Sequence, residues 1–275
     1  MPELPEVETT RRGIATLVTN KTLESFIVHE PRLRWPVPAN LAELVNGKTI
    51  IACERRGKYL LLVFEHGTML VHLGMSGSLR RVGLNEARRK HDHIEWRFAH
   101  ARLLLHDPRR FGSVLWHDAA DGPVDQHPRL VGLGVEPFSD NFNGAHLRKQ
   151  FKGRQQAVKQ ALLAGNAVVG VGNIYASEAL FRARINPKTA AGSLSLARCE
   201  RLSAAIQETL NDALEAGGTT LRDYVSTQNE PGSYFDIHAA VYGREGQACP
   251  VCSRAIRRIV QGQRATYYCT RCQAR

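Results

Sequence analysis

Length, composition and charge set the first limits on this protein. The chain has 275 residues, 43% of them hydrophobic, which is long enough for two domains with buried cores. It has no apolar run of the roughly 18 residues that a membrane span requires. Its first residues also lack the basic start and apolar stretch of a secretory signal. We therefore expect a cytosolic globular protein.

The net charge is positive and unevenly distributed. The 37 Lys and Arg residues outnumber the 26 Asp and Glu residues, which gives a formal charge of +11. Such a surplus favours a polyanionic partner, and nucleic acid is the leading candidate. No segment sets a basic helical face against a Trp/Phe/Leu face, so a membrane surface is the weaker alternative. Residues 241–275 contain seven Arg and one Glu, and we predict that this tail contacts DNA.

The chain begins with a predicted helix. Prolines and acidic residues, which suit the amino end of a helix, fill the segment from Pro2 to Glu8. Val7, Ile14, Leu17 and Val18 then continue one apolar face.

Between about residues 22 and 117 the hydropathy pattern changes to short runs that are either apolar or alternate between apolar and polar residues. These runs predict an antiparallel β-sandwich or barrel, with a tight turn at Glu65-His66-Gly67. The predicted strands are Phe26–Val28, Ile50–Ala52, Tyr59–Phe64, Thr68–His72, Ile94–Phe98, Leu103–His106 and Ser113–Trp116.

Helical periodicity replaces this pattern after a predicted linker at about residues 118–138, where Gly, Pro and Asp dominate. The segment 143–183 suits helices broken by a turn at Ala164-Gly165-Asn166. A longer helix follows, capped by Ser195 and ended by Gly217-Gly218. Its predicted apolar stripe is Leu196, Leu202, Ile206, Leu210 and Leu214. A polar stretch at 227–233 predicts a loop.

The cysteines carry the most specific local signal. Cys249-x-x-Cys252 is followed, after 16 residues, by Cys269-x-x-Cys272. Two such pairs on facing hairpins complete a closed tetrahedral zinc site, which predicts a structural rather than a catalytic metal. A redox pair is the weaker alternative, because the segment lacks a βαβ context. Cys53 and Cys199 stand alone, and we expect both to be small buried hydrophobic residues.

The amino terminus offers an unusual nucleophile. If Met1 is removed, which a small second residue permits, the secondary amine of Pro2 is exposed. An α-amino group has a pKa of about 7.7–8.0 and is therefore partly neutral at cellular pH. Attack on a sugar C1′ would give an iminium ion, which is an electron sink for elimination. Glu3 would be a proton donor beside it. Taken alone, Pro-Glu is more typical of an ordinary helix start than of a nucleophile.

Several motifs together indicate a family. They are PELPEVETTRRGI from residue 2, RRGKYLL from 55, HLGMSGSL from 72, KHDH from 90, DPRRFG from 107, VVGVGNIYASEALF from 168 and QRATYYC from 263. In this order, and over essentially the whole chain, the sequence resembles the formamidopyrimidine-DNA glycosylase family, bacterial enzymes that remove 8-oxoguanine and ring-opened purines.

The resemblance implies an α+β fold in which DNA binds in a cleft. We expect an amino-terminal antiparallel β-sandwich catalytic domain with flanking helices over residues 1–132. A helical DNA-binding domain with a helix–two-turn–helix would follow over 133–240, and a β-hairpin zinc ribbon over 241–275. The ribbon would hold one structural Zn²⁺.

The resemblance also implies roles for individual residues. Pro2 would be the Schiff-base nucleophile and Glu3 the acid that assists opening of the deoxyribose ring. Lys58 would serve the glycosylase and β-elimination chemistry, and Arg264 the δ-elimination and phosphate contact. Without the resemblance, Lys58 reads as an exposed lysine at a strand end.

Further residues match the family's DNA contacts. Met75, Arg109 and Phe111 would fill the space left by an extruded base, although Met75 and Phe111 alone read as core residues. The other expected contacts with DNA are His91, Arg154, Lys159 and Asn173. His91-Asp92-His93 also suggests a metal pair, but adjacent strand residues point to opposite faces.

Two segments depart from the family pattern. Arg222 stands where many relatives have lysine, which keeps the charge but changes a point contact with phosphate into a fork. The predicted base-capping loop around Ser226–Tyr234 differs most from the family, which leaves the lesion preference open.

Alternative functions remain at this point. An endonuclease VIII type of glycosylase would prefer oxidised pyrimidines, but the MPELPE start and the set Met75, Arg109 and Phe111 fit the purine enzyme better. A non-catalytic zinc-ribbon DNA-binding protein would also explain the basic ribbon, and a zinc-ribbon RNA-binding protein is a third possibility. For the leading hypothesis we expect a monomeric bacterial protein of the cytoplasm and nucleoid that binds damaged double-stranded DNA and no membrane.

Overall fold

A computed structural model describes residues 2–218 and 233–274, leaving the side chains of residues 235 and 236 undescribed. The described chain forms two compact units. Of the described residues, the amino-terminal unit comprises 2–131, 216–218 and 233, and the carboxy-terminal unit comprises 132–215 and 234–274. No helix in the described ranges has the length and apolarity needed to cross a bilayer.

The amino-terminal unit is an antiparallel β-sandwich, as predicted. One sheet has the strand order β10-β6-β5-β4, the other has the order β2-β8-β9-β7, and β1 pairs with β3 apart from both. The elements in chain order are α1 (Leu4–Val18), β1 (Lys21–Leu23), β2 (Ser25–Val28), α2 (Leu41–Val45), β3 (Lys48–Ile50), β4 (Ala52–Arg56), β5 (Tyr59–Phe64), β6 (Gly67–His72), β7 (Ser78–Val82), β8 (Asp92–Phe98), β9 (Ala101–His106) and β10 (Ser113–Asp118).

One apolar core joins the two sheets and the first helix. Trp96 of β8 is fully buried and donates its indole N–H to the sulfur of Met69 on β6 at 3.2 Å. The four residues predicted to form the apolar face of α1 are all buried, and three of them (Val7, Ile14 and Val18) are 0% exposed. Removing these apolar surfaces from water stabilises the sandwich and fixes the position of α1 on it.

The strand prediction failed where charged side chains point inward. Strand β7 was not predicted, because its Arg80 is buried and pairs with Asp92 at 2.7 Å, which hides the apolar alternation. The predicted strand Ile50–Ala52 is a junction between β3 and β4. Ile51, at this junction, is 47% exposed.

The carboxy-terminal unit is helical, with a short hairpin. Its elements are α3 (Gly144–Phe151), α4 (Val158–Leu163), α5 (Asn173–Arg182), α6 (Leu196–Glu215), α7 (Tyr234–His238), β11 (Arg257–Gln261) and β12 (Arg264–Tyr268). The turn predicted at residues 164–166 separates α4 from α5, and Gly165 there has φ +75°. The long helix α6 matches its predicted limits, although Leu196 is exposed rather than part of the buried stripe.

Strands β11 and β12 form the predicted hairpin of the zinc ribbon. Gly262 and Gln263 make the two-residue turn, and both have positive φ, as a type I′ hairpin turn requires. Cys249, Cys269 and Ile256 are buried in a small core with Phe181 of α5 and Val241. The ribbon is therefore packed against the helices of its own unit.

Candidate active site and nucleic-acid interface

The start of α1 places two carboxylates side by side. Glu3 and Glu6 are each 1% exposed, and Pro2 is also buried. The backbone N–H of Glu3 donates to Oε2 of Glu6 at 2.8 Å, so the Glu6 carboxylate caps the helix and fixes the residue that follows Pro2. Glu6 was not predicted as a site residue, although its spacing of three residues from Glu3 is a capping signal.

Arg55 connects this helix with the turn that carries Lys58. Its Nε lies 3.2 Å from Oε2 of Glu8, one turn further along α1. Its Nη1 donates to the carbonyl oxygen of Gly57 at 2.9 Å. Burial opposes ionisation of Glu8, but hydrogen bonds from Arg11 and Arg12 lower its pKa to about 2. The first turns of α1 and the half-buried Lys58 therefore lie at the same end of the sandwich.

His72, at the end of β6, lies close to this lysine. Its ring is 4.8 Å from the ring of Tyr59, and its Nδ1 accepts a hydrogen bond from the backbone N–H of Gly74 at 3.0 Å. Burial, together with the positive charges of Lys58 and Arg34, lowers the pKa of His72 to about 4. The imidazole is therefore neutral at cellular pH.

The predicted void-filling residues lie on two loops that touch. Met75 is 41% exposed and Phe111 is 38% exposed, which is unusual for large apolar side chains in this core-rich unit. The loops can meet because a Cβ on Gly74 would lie only 2.4 Å from the carbonyl carbon of Phe111. The guanidinium of Arg109 lies over the Phe111 ring, 4.7 Å from its centroid. The structure thus brings the three residues together.

Asp107 closes the second of these loops. Its Oδ2 accepts a hydrogen bond from the backbone N–H of Gly112 at 2.7 Å, and its backbone N–H donates to the carbonyl of His91 at 2.9 Å. Half-buried His91 therefore lies beside the loop that carries Arg109. Among the described residues, the histidines of the His91-Asp92-His93 motif are not part of any metal-binding group.

Three predicted DNA contacts converge in the carboxy-terminal unit. The carbonyl oxygen of Ala265 accepts hydrogen bonds from Nζ of Lys159 at 3.1 Å and from Nδ2 of Asn173 at 3.0 Å. Lys159 is 0% exposed and also donates to Thr266 Oγ1 at 2.8 Å. Arg264, next to Ala265, is exposed beside the hairpin turn. Lys159 and Asn173 therefore hold the ribbon strand that presents Arg264.

Arg154 is half-exposed outside this cluster, and its Nη1 donates to Oδ1 of Asn166 at 3.1 Å.

Glu178 was not predicted as a site residue, but in the structure it holds a backbone segment in place. Its buried carboxylate accepts the backbone N–H groups of Ala240, Val241 and Tyr242 at 2.7–3.0 Å. Burial raises the pKa of Glu178 even though these hydrogen bonds oppose the shift.

Glu178 fixes the segment that delivers Tyr242 to Asn173. The Asn173 amide donates to the Tyr242 hydroxyl at 3.2 Å, while its own Oδ1 is buried and has no hydrogen-bond partner among the described residues. An acidic residue on the apolar face of NIYASEALF was the available sequence signal.

The four ribbon cysteines form the metal site. Their sulfur atoms all lie within 4.8 Å of one another, with 3.8 Å between Cys249 and Cys272 and 3.4 Å between Cys252 and Cys269. A tetrahedron of Zn–S bonds of about 2.3 Å separates its sulfurs by about 3.8 Å. The cluster therefore fits one structural Zn²⁺ with no open coordination position. Cys53 and Cys199 are buried and separate, as predicted.

Two predicted features lie outside the described residues. These are Arg222 and residues 226–232 of the predicted base-capping loop. The structure describes Ser233 and Tyr234 at the end of that loop, and Tyr234 is 0% exposed.

The β-sandwich, the helical unit and the four-cysteine ribbon together fit the class of DNA-repair glycosylases. Three family models match in succession. They are the formamidopyrimidine-DNA glycosylase N-terminal domain over residues 1–114, the formamidopyrimidine-DNA glycosylase H2TH domain over 133–225, and a zinc finger found in FPG and IleRS over 246–275. The chain belongs to the formamidopyrimidine-DNA glycosylase family.

Individual relatives agree with this assignment. The chain is 64% identical to the formamidopyrimidine-DNA glycosylase of Bordetella avium, with 100% of both chains covered. It is 56% identical to that of Burkholderia multivorans, covering 99% of this chain and 100% of the relative.

Solved structures are also similar over almost the whole chain. The crystal structure of MutM (Fpg) from Thermus thermophilus has a TM-score of 0.88 at 38% identity, covering 99% of this chain and 98% of that one. A mutant of Lactococcus lactis Fpg, in complex with DNA containing Fapy-dG, has a TM-score of 0.91 at 30% identity, with 100% of both chains covered.

Proposed function

We propose that this protein excises oxidised purines from double-stranded DNA in base-excision repair and then cuts the sugar-phosphate backbone, using Pro2 as its covalent nucleophile. Membership of the glycosylase family supports the reaction class. The arrangement at the start of α1 supports the choice of nucleophile. After removal of Met1, the nitrogen of Pro2 would be a secondary amine fixed beside two buried carboxylates, Glu3 and Glu6.

The chemistry follows from the type of amine. The Pro2 nitrogen attacks C1′ and forms a C–N bond, while the bond between C1′ and the damaged base breaks and the base takes up the proton that the nitrogen loses. Glu3 donates a proton to the ring oxygen of the sugar as the ring opens. The resulting iminium withdraws electrons from C2′, so loss of a C2′ proton expels the 3′ phosphate. Loss of a C4′ proton then expels the 5′ phosphate in δ-elimination, and water hydrolyses the remaining Schiff base.

Lys58 and Arg264 take the supporting roles in this proposal. Lys58 lies at the same end of the sandwich as the start of α1, connected to it through Arg55, and its ammonium would stabilise negative charge near the reacting sugar. Arg264 is exposed at the hairpin turn and would hold the phosphate that leaves in δ-elimination.

Base extrusion would use the two touching loops. An enzyme that acts on a base must take it out of the stack, which costs a few kilocalories per mole. Met75 and Phe111 would fill the space left by the base, and Arg109 would hydrogen-bond the unpaired partner base. The partial exposure of both apolar side chains supports these roles.

The remaining contacts would hold the DNA backbone. In this proposal His91, Arg154, Lys159 and Asn173 contribute to phosphate binding, and Lys159 does so by fixing the ribbon strand. The four-cysteine zinc site holds the ribbon in shape and takes no part in the reaction. We further propose that the protein works as a monomer in the bacterial cytoplasm, at the nucleoid.

Borohydride trapping tests the nucleophile. The parent protein, incubated with a duplex containing 8-oxoguanine opposite cytosine and then reduced, should form a covalent adduct. Intact-mass measurement should show the loss of Met1 and the attachment of DNA, and mass analysis of the amino-terminal peptide should place the adduct at Pro2. Pro2→Gly should lose most trapping and strand cleavage, whereas Pro5→Ala, a matched change on the same helix start, should retain both.

Two outcomes would contradict the proposal. Full trapping by Pro2→Gly, or full activity in protein that keeps Met1, would remove the nucleophile assignment. Activity on thymine glycol far above that on 8-oxoguanine would overturn the substrate class.

A further inference from the structure

Two arginines from distant parts of the chain contact one indole in the amino-terminal unit. The Arg129 guanidinium carbon lies 3.7 Å from the centroid of the Trp35 ring, and that of Arg34 lies 5.7 Å from it. Both distances are within the range of cation–π contacts. We call Arg34, Trp35 and Arg129 the Trp35 platform. Arg34 and Arg129 are exposed and Trp35 is half-buried.

The platform carries positive charge that the protein does not neutralise. Among the described residues, neither the Arg34 nor the Arg129 guanidinium has an ion pair or a hydrogen bond. The carboxylate of Glu30, in the same segment between β2 and α2 as Arg34, is already paired with Arg32 and Arg110. Like charges held together without an acid cost free energy in the absence of a ligand, and an anion would remove that cost.

Backbone contacts hold both chain segments that carry the Trp35 platform. An antiparallel bridge between Arg32 and Pro36 closes the turn that carries Trp35. The backbone N–H of Arg129 donates to Nδ1 of His127 at 3.1 Å, and the next residue, Leu130, is 2% exposed. The guanidinium groups are therefore pre-positioned, which reduces the entropy lost when a ligand binds.

The platform lies beside the loop that carries Phe111. The backbone N–H of Arg34 donates to the carbonyl oxygen of Gly112, the residue after Phe111, at 3.0 Å. The positive charges of Arg34 and Lys58 both lower the pKa of His72, so Arg34 and Lys58 are both within electrostatic range of that side chain. An anion bound on the platform would thus be adjacent to the residues proposed to extrude the base.

We propose that the Trp35 platform is a binding site for phosphodiester groups of the DNA strand that passes the void-filling residues. A guanidinium held over an aromatic ring still has N–H groups available for a ligand, and their planar fork matches two phosphate oxygens. Trp35 acts as the positioning residue, and Arg34 and Arg129 are the phosphate ligands. This inference rests on the proposed function, because it requires DNA on this face.

Salt dependence of DNA binding tests the platform directly. Each phosphate contact that is lost makes the negative slope of log K against log [salt] shallower by about 0.9. Using a duplex that contains a stable abasic-site analogue, we expect Arg34→Gln and Arg129→Gln each to reduce the slope by about 1 and to weaken binding about 3- to 10-fold at moderate salt. Arg81→Gln, an exposed arginine on β7, should leave both values unchanged.

Substitutions at Trp35 test whether its ring positions Arg34 and Arg129 or only contributes to packing. Trp35→Phe keeps an aromatic face and should behave like the parent, while Trp35→Ala should approach the slope of the Arg34→Gln/Arg129→Gln double variant. Adding Trp35→Ala to that double variant should then have little further effect. Parental slopes in both arginine variants would overturn the proposal, as would a Trp35→Ala variant that binds like the parent.

The same proteins keep this inference separate from the proposed function. If the parent forms no borohydride adduct, the glycosylase and lyase proposal fails. If the parent forms the adduct and the arginine variants keep its salt slope, only the platform fails.

Discussion

The two units hold their proposed DNA-facing residues in different ways. In the amino-terminal unit, Met75 and Phe111 are placed by backbone shape, since their loops meet at Gly74, where a side chain has no room. In the carboxy-terminal unit, Lys159 and Asn173 are joined to the ribbon by hydrogen bonds to one carbonyl, that of Ala265. The first arrangement depends on packing, and the second depends on polar cross-links and a metal.

This difference implies different vulnerabilities. A packed core loses stability in proportion to the volume or strain that a substitution introduces. A polar or metal-dependent arrangement fails when one partner is removed, because the others are left unsatisfied. All three tryptophans (Trp35, Trp96 and Trp116) lie in the amino-terminal unit, so tryptophan fluorescence reports on that unit alone.

Removal of one zinc ligand should produce the largest effect. Structural zinc contributes about 10–16 kcal/mol in small zinc domains, so Cys249→Ala should lose the metal and the ordered ribbon. We expect DNA affinity to fall more than about 100-fold, because Arg264 and its neighbours lose their framework. Metal analysis and a binding titration measure these losses, and the tryptophan unfolding curve should stay near that of the parent.

Cys199→Ala is the matched control, because Cys199 is a buried cysteine of α6 outside the metal cluster. It should keep one zinc per chain. Retention of zinc by Cys249→Ala would exclude the four-thiolate site, and collapse of the tryptophan transition would show that the two units do not differ as described.

Adding a side chain at Gly74, where the two loops meet, should have the next largest effect. Gly74 has φ +68°, and an alanine Cβ there would lie 2.4 Å from the backbone of Phe111. We expect Gly74→Ala to destabilise the amino-terminal unit by about 3 kcal/mol, through strain at positive φ and a clash. Urea unfolding followed by tryptophan fluorescence measures this. Gly83→Ala meets no atom within 4 Å and should change stability by less than about 1 kcal/mol.

The polar cross-links of the carboxy-terminal unit can be weakened without touching the metal. Glu178→Gln replaces a carboxylate that accepts three backbone N–H groups with an amide that has a single acceptor oxygen. We expect a local cost of about 2 kcal/mol, seen as roughly 30-fold faster hydrogen exchange at residues 240–242. Glu208→Gln, exposed on α6, should leave that exchange unchanged, and equal protection in both variants would count against this role of Glu178.

The sequence predicted what depends on periodicity and spacing. The apolar face of α1, most strands of the amino-terminal unit, the limits of α6 and the zinc cysteines followed from local patterns, and the family resemblance favoured a sandwich over a barrel. It failed at β7, where Arg80 is neutralised by Asp92, because pairing between distant residues leaves no trace in a local hydropathy pattern.

In the candidate site, too, local motifs were predicted from the sequence and contacts between distant residues were not. Motifs indicated Pro2, Glu3, Lys58 and the loop residues, but not the connections among them. Glu178 and Tyr242 were missed because their part depends on contacts across 64 residues of sequence. Likewise, the sequence showed only a linker at residues 118–138, whereas the structure places Arg129 from that segment on Trp35.

The prediction with the smallest effect at neutral pH concerns the burial of His72 in the amino-terminal unit, which is tested by the pH dependence of stability. His72 has a pKa of about 4, below the ordinary 6.5, because it is buried near Lys58 and Arg34. Between these values the unfolded chain takes up a proton that the folded chain does not, so the contribution of His72 to stability is complete above pH 6.5 and is lost as the pH falls toward 4. We expect the unit to lose about 2 kcal/mol between about pH 7 and about pH 5 from this group. His72→Gln should flatten that dependence in tryptophan-monitored urea unfolding, which is insensitive to zinc loss from the ribbon, whereas exposed His100→Gln should not. An unchanged pH dependence in His72→Gln would mean that packing around Lys58 admits water, and that the amino-terminal unit is less rigid at its site than its loop contacts indicate.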